Sequence, residues 1–194
     1  RIIIDLIVTP ILFISTLSFS QTTTSSPYSL FGIGDQANLK TVEDIAMGQM
    51  GGALNSEYQL SFTNPASYGS LKWTTYVFAG GNKTNYVDDG DNEQTSSAAA
   101  LSYIGLGIPI RGNQGLVMGL QLNTAVGYSL VDQTFDDEGV LTQIDKYYGN
   151  GGTNRVFLGY GYQFPFNLSL GLDFAYVFGG IDNNVLNRRN TVQL

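Results

Sequence analysis

The 194 residues carry 9 Lys+Arg against 16 Asp+Glu, a formal net charge of −7, with neither Cys nor His. Those zero counts remove disulfides, thiolate nucleophiles, Cys- or His-ligated metals and the Ser-His-Asp triad, so no enzyme activity, cofactor or metal site is expected; the acidity also excludes nucleic acid, whose binding needs clustered Lys and Arg. Only 13% of residues are charged, against roughly 25% in a typical soluble domain, while Gly numbers 24 and Tyr and Phe 12 and 11, a poor fit to a soluble helical domain.

Residues 1–20 read as a secretory signal peptide. Arg1 precedes the apolar run of Leu6, Ile7, Val8, Ile11, Leu12, Phe13 and Ile14, and Ser18 and Ser20 stand two apart before Gln21. The apolar stretch is short for a membrane span and is interrupted by Asp5 and Pro10. The chain starts at Arg and stops at Leu194 without a boundary signal, and is expected to be part of a longer reading frame.

Residues 21–26 are polar and low in complexity. Further on, Thr41 reads as a helix cap, Glu43 and Asp44 as first-turn acids, and Val42, Ile45, Ala46 and Met50 as an apolar helical face stopped by Gly51-Gly52. Asn64-Pro65 is a turn signal.

From Trp73 the period becomes two. Even positions of 116–130 carry Leu116, Met118, Leu120, Leu122, Thr124, Val126, Tyr128 and Leu130, and even positions of 168–178 carry Leu168, Leu170, Leu172, Phe174, Tyr176 and Phe178. Val156, Leu158, Tyr160, Tyr162 and Phe164 repeat the scheme, and the intervening positions are small or polar, so each strand has one apolar face. Five strands are predicted, near 73–87, 95–110, 115–132, 146–164 and 168–181. They are long enough to cross a bilayer and are joined alternately by short turns and long acidic connections. Asp88, Asp89, Asp91 and Glu93 mark one such connection and Asp132, Asp136, Asp137 and Glu138 another; both read as solvated loops, since Gln94 replaces the Gly that a calcium loop requires. The expected fold is all-β: an antiparallel, up-and-down outer-membrane barrel, here partial, because five strands fall short of the ~8 that bacterial barrels need.

The segment Ala46-Met47-Gly48-Gln49-Met50-Gly51-Gly52-Ala53-Leu54, followed by Phe62-Thr63-Asn64-Pro65-Ala66 and a strand beginning at Trp73, resembles the FadL-type long-chain fatty acid transporters of Gram-negative outer membranes. Ser26 to Asp35 is similar to the mature N-terminus of some of these barrels; Ser56-Glu57-Tyr58-Gln59 departs from the common pattern. The resemblance implies that residues 21–72 form a hatch or plug inside the lumen and residues 73–194 the first part of the transmembrane barrel. It also implies passive uptake of small hydrophobic compounds such as long-chain fatty acids. Met47, Gly48, Gly51, Gly52, Asn64, Pro65 and Ala66 would then shape or gate the hatch. Gln121, Asn123, Arg155, Gln163 and Asp173 fall on the presumed lumen face, where Arg155 and Asp173 are placed to pair across strands. The expected partners are the lipid bilayer, a hydrophobic small-molecule cargo and other outer-membrane proteins. The same hatch motif resembles accessory barrels of secretion systems, so the alternative is a non-conducting barrel that serves a secretion or assembly machine.

Overall fold

A computed structural model of the chain describes residues 24–88, 93–136, 139–166 and 168–189. The expected signal peptide at 1–20 lies outside them, as do Asp89, Asp91, Asp137 and Glu138. Five long strands, β2 (Thr75–Asp88), β3 (Glu93–Arg111), β4 (Gln114–Phe135), β5 (Leu141–Gln163) and β6 (Ser169–Arg189), pair antiparallel with their sequence neighbours. A two-residue strand, β1 (Asp35–Gln36), adds to β4. The fold is all-β, as the alternation requires, but the sheet is open, with β2 and β6 as its edges among the described residues.

The strands run beyond the apolar segments that announce them. Ladder pairs such as Gln133↔Ile144 and Thr134↔Gln143 occupy the stretch read as a long acidic loop. An established antiparallel register extends residue by residue without a new loop closure, and backbone pairing asks nothing of the side chains. The contrast between long and short connections therefore shrinks: residues 136–140 join β4 to β5, and a turn at Gly112-Asn113 joins β3 to β4.

The faces follow the predicted parity along much of the sheet, with reversals at bulges. Tyr76, Phe78, Ile104, Met118, Leu158, Leu172 and Phe174 are exposed on one side, whereas Tyr103, Val117 and Phe157 are buried on the other. In β4 the register shifts between Leu122 and Thr124, which inserts one residue and turns the alternation over. Val126 and Tyr128, expected on the same apolar face as Leu116, are instead buried, and the Tyr128 hydroxyl donates to Asn183 Oδ1 at 3.0 Å.

Residues 24–72 lie on the sheet's inner face. Their one α-helix, α1 (Val42–Ala46), is capped by Thr41, whose Oγ1 accepts from the Asp44 backbone amide. The predicted apolar face is inverted. Asp44 is the buried residue of the helix, and Val42 and Ile45 are exposed. The helix ends at Met47, ahead of the predicted Gly51 stop; Gly48 and Gln49 have positive φ, which the helix cannot continue through.

Candidate functional site

The core of the molecule is the seat between this N-terminal segment and the sheet. Leu60, Phe62, Tyr68 and Leu71 pack against Tyr103, Val117 and Phe157, all of them buried. Phe62 stands edge-on to both wall rings, 5.4 Å from Tyr103 and 5.0 Å from Phe157 between centroids. Such contacts add to the hydrophobic gain of burying the ring.

Six wall glycines make this approach possible. A Cβ on Gly105 would stand 2.7 Å from the Phe62 ring, and one on Gly107 3.1 Å from Leu71 and 3.2 Å from Leu60. A Cβ on Gly159 would lie 2.5 Å from the Tyr68 ring, and one on Gly161 2.6 Å from both Pro65 O and Gly69 N. On Gly115 it would collide with the Tyr68 carbonyl, and on Gly171 with the Pro65–Ala66 peptide. The small positions of the alternating pattern are therefore a floor filled by atoms of the N-terminal segment. The segment's short 3-10 helix, Pro65–Ser70, sits at the short-turn end of the sheet, where Gln163 N donates to Asn113 O and Ser70 Oγ to Gln163 Oε1.

Above this seat the link is polar. Gln121, fully buried, donates from Nε2 to Leu39 O at 2.8 Å and accepts from Arg155 Nη1 at 2.7 Å. Arg155 also pairs with Asp173 at 2.5 Å and lies 5.2 Å from the Phe157 ring centroid. The register places Asp173 opposite Gly159. On the plug side, the Tyr103 hydroxyl accepts from Val42 N at 2.9 Å. Tyr68 Oη and Asp173 Oδ1 are buried without a hydrogen-bond partner in the protein. Burial, followed by the Asp173 carboxylate, pushes the Tyr68 phenol well above its usual range.

The structure does not bring the predicted site residues together in one place. Asn64, Pro65 and Ala66 lie at the seat: Asn64 Oδ1 accepts from Ala66 N, Pro65 opens the 3-10 helix, and Asn64 Nδ2 donates to Gly52 O. Gln121, Arg155 and Asp173 form one network, with the pairing expected of the last two, and Gln163 reaches Ser70. Asn123 instead bonds within the wall, to Thr153 Oγ1 at 3.0 Å. Met47 is 41% exposed, and no atom lies within 4 Å of a Cβ on Gly48. Gly51 abuts the Asp44 carboxylate, which accepts from Ser61 Oγ at 2.8 Å and Thr63 Oγ1 at 3.3 Å. Sequence reading missed Asp44, Tyr68 and the glycine floor. Glycines recurring at same-face positions on neighbouring strands were the available signal for the last.

The BamG family model matches residues 2–194. The chain belongs to the BamG family. Neither a curated protein nor a solved structure matches it. BamG is a component of the BAM complex, so the chain is an outer-membrane-associated protein of Gram-negative bacteria that associates with other outer-membrane assembly proteins. The FadL-type resemblance and the fatty acid channel it implied are thereby overturned. The motif behind that resemblance covers residues 26–66 only, whereas the BamG match covers nearly the whole chain. Membership agrees with the alternative, an accessory component of an assembly machine.

Proposed function

We infer that this chain supplies wall and plug to a transmembrane β-barrel that serves outer-membrane protein assembly as a non-catalytic, non-conducting accessory. The observation that carries the reading is the glycine floor. Plug backbone at Pro65, Ala66, Tyr68 and Gly69 occupies the side-chain space of Gly115, Gly161 and Gly171. A segment held by backbone contact at that many points is built as a fixed part of the wall, and it gives the barrel a rigid, closed end.

The membrane reading rests on the opposite face. Leu168, Leu170, Leu172, Phe174, Tyr176 and Phe178 are all exposed. At ~3.3 Å per residue the row runs roughly 33 Å along β6, or about 25 Å in height at a tilt of ~40°, matching the apolar band of outer-membrane barrels. Tyr162, Phe164 and Phe166 contact one another at the short-turn end, and Tyr176 stacks with Phe178 toward the other, in keeping with two interfacial girdles.

The test is depletion of the full-length protein, followed by measurement of β-barrel protein levels in the outer membrane and of co-purification with the assembly complex. Lowered levels and stable co-purification are expected. Normal levels together with no association would overturn the assembly role.

A further inference from the structure

The wall contains a gap. β3 and β4 pair only from Tyr103↔Gln121 down to the Gly112-Asn113 turn. Beyond Gln121 the strands part: residues 93–101 of β3 pair with β2 alone, and residues 126–135 of β4 with β5 alone, among the described residues. Two unpaired backbone edges thus border one opening. The chain's own arm, residues 24–40, covers the near end of the β4 edge. Asp35 and Gln36 pair with Ala125 and Thr124, Ala37 N donates to Asn123 O at 2.9 Å, and Gly127 N donates to Ser29 Oγ at 3.1 Å. A cavity of about 230 Å³, bordered by Gln36, Asn38, Ala98, Ser102 and Leu122, remains beside it.

This arm is held differently from the rest of the plug. Three of its large apolar side chains are turned away, Tyr28 being 78% exposed, Phe31 72% and Ile33 55%, whereas Leu60, Phe62, Tyr68 and Leu71 are 7% exposed or less. Hydrogen bonds to a strand edge and the buried polar residues Thr24, Ser26 and Ser29, with the Thr24 carbonyl over Gly127, hold the arm; apolar burial holds the seat. A partner able to make the same edge bonds replaces the arm at little net cost, because each bond lost is remade.

We propose that the edge of β4 next to β1 is a strand-acceptor site for an extended segment of another polypeptide, kept closed at rest by residues 24–40, which detach while the seat stays in place. Strand addition draws its affinity from main-chain bonds and accepts varied sequences, and β1 already shows that this edge takes an added strand. Only the identity of the partner, a protein under assembly, rests on the assembly reading.

The test uses the full-length protein in lipid discs. Hydrogen exchange at Ala37 and Gly127, whose amides bridge arm and wall, should run at least about tenfold faster than at Ser67 and Lys72 of the seat. The chain has no Cys, so Gln36→Cys with Thr124→Cys introduces a single pair at facing positions. A labelled peptide of the sequence IGDQANLK, copying residues 33–40, should bind saturably to the unmodified and reduced proteins. Oxidation should abolish binding, and reductant should restore it. Equal exchange in arm and seat would overturn the proposal, as would equal binding to the locked protein or no binding to the open one. The exchange measurement stands even where the double variant fails to fold, and none of these readouts depends on assembly activity.

Discussion

Residues 24–40 and residues 60–71 lie on the same wall, within one N-terminal segment, yet they are attached by different physics. The seat around Phe62 and Tyr68 is nearly water-free and rests on glycine. The arm touches the wall through β1, hydrogen bonds and the buried polar residues Thr24, Ser26 and Ser29, with Tyr28, Phe31 and Ile33 facing outward. Apolar burial gives the first region its stability, since each buried ring contributes several kcal/mol of gross transfer free energy, whereas a hydrogen bond exchanged with water or another strand contributes only ~1 kcal/mol. One plug thus combines a fixed part and a releasable part.

The largest effect that separates the two regions is expected from Phe62→Ala. Removing a ring packed on Tyr103 and Phe157 should cost about 3–5 kcal/mol, read by urea unfolding of the purified protein in micelles. Phe31→Ala in the arm should shift the same curve by no more than about 0.5 kcal/mol. Equal effects would erase the distinction. Gly171→Ala adds a methyl where the Pro65–Ala66 peptide stands, and should cost about 1–3 kcal/mol and open residues 60–71 to protease. Gly48→Ala meets open space but holds a positive φ, so its smaller cost should leave seat proteolysis unchanged.

A finer effect is expected at Asn64, whose carboxamide caps the Pro65–Ser70 turn. Asn64→Ala should cost about 1 kcal/mol, visible as faster exchange at Ala66. The smallest concerns Tyr68. Its raised pKa means that the folded state favours the neutral phenol. That contribution is complete below the unfolded value near ~10 and declines as pH rises through the folded value. Tyr68→Phe removes a buried hydroxyl without a protein partner, so it should be neutral or stabilising by less than about 1 kcal/mol at pH 7 and should flatten the alkaline loss of stability. A marked loss at pH 7 would mean that the hydroxyl is bonded after all.

Much of this organisation is written locally. Alternation over 116–122 and 168–178 specifies strands because side chains project to opposite faces every second residue, and the short turn between β3 and β4 follows from Gly112-Asn113. The Asn64-Pro65 turn is equally local, since cap and ring act on neighbouring backbone. The pairing of Arg155 with Asp173 was also open to inference from charge and face. Asp44 was not, because a first-turn acid on a short helix normally faces water, and only Ser61 and Thr63, folded back from 17 and 19 residues away, make its burial tolerable. The small positions misled in a similar way, looking like a hydrated lumen.

What this sequence determined by itself is therefore the all-β class, the strand order along the chain and the apolar outer face, all set by interactions within a few residues. Tertiary structure alone decided that the glycines form a seat, that the bulge after Leu122 turns Val126 and Tyr128 inward, and that β1 fills a gap between β3 and β4. Each of these depends on which distant backbone arrives at a given site. A period-two pattern says that a face is small, but only the arriving chain decides whether water or a plug fills it.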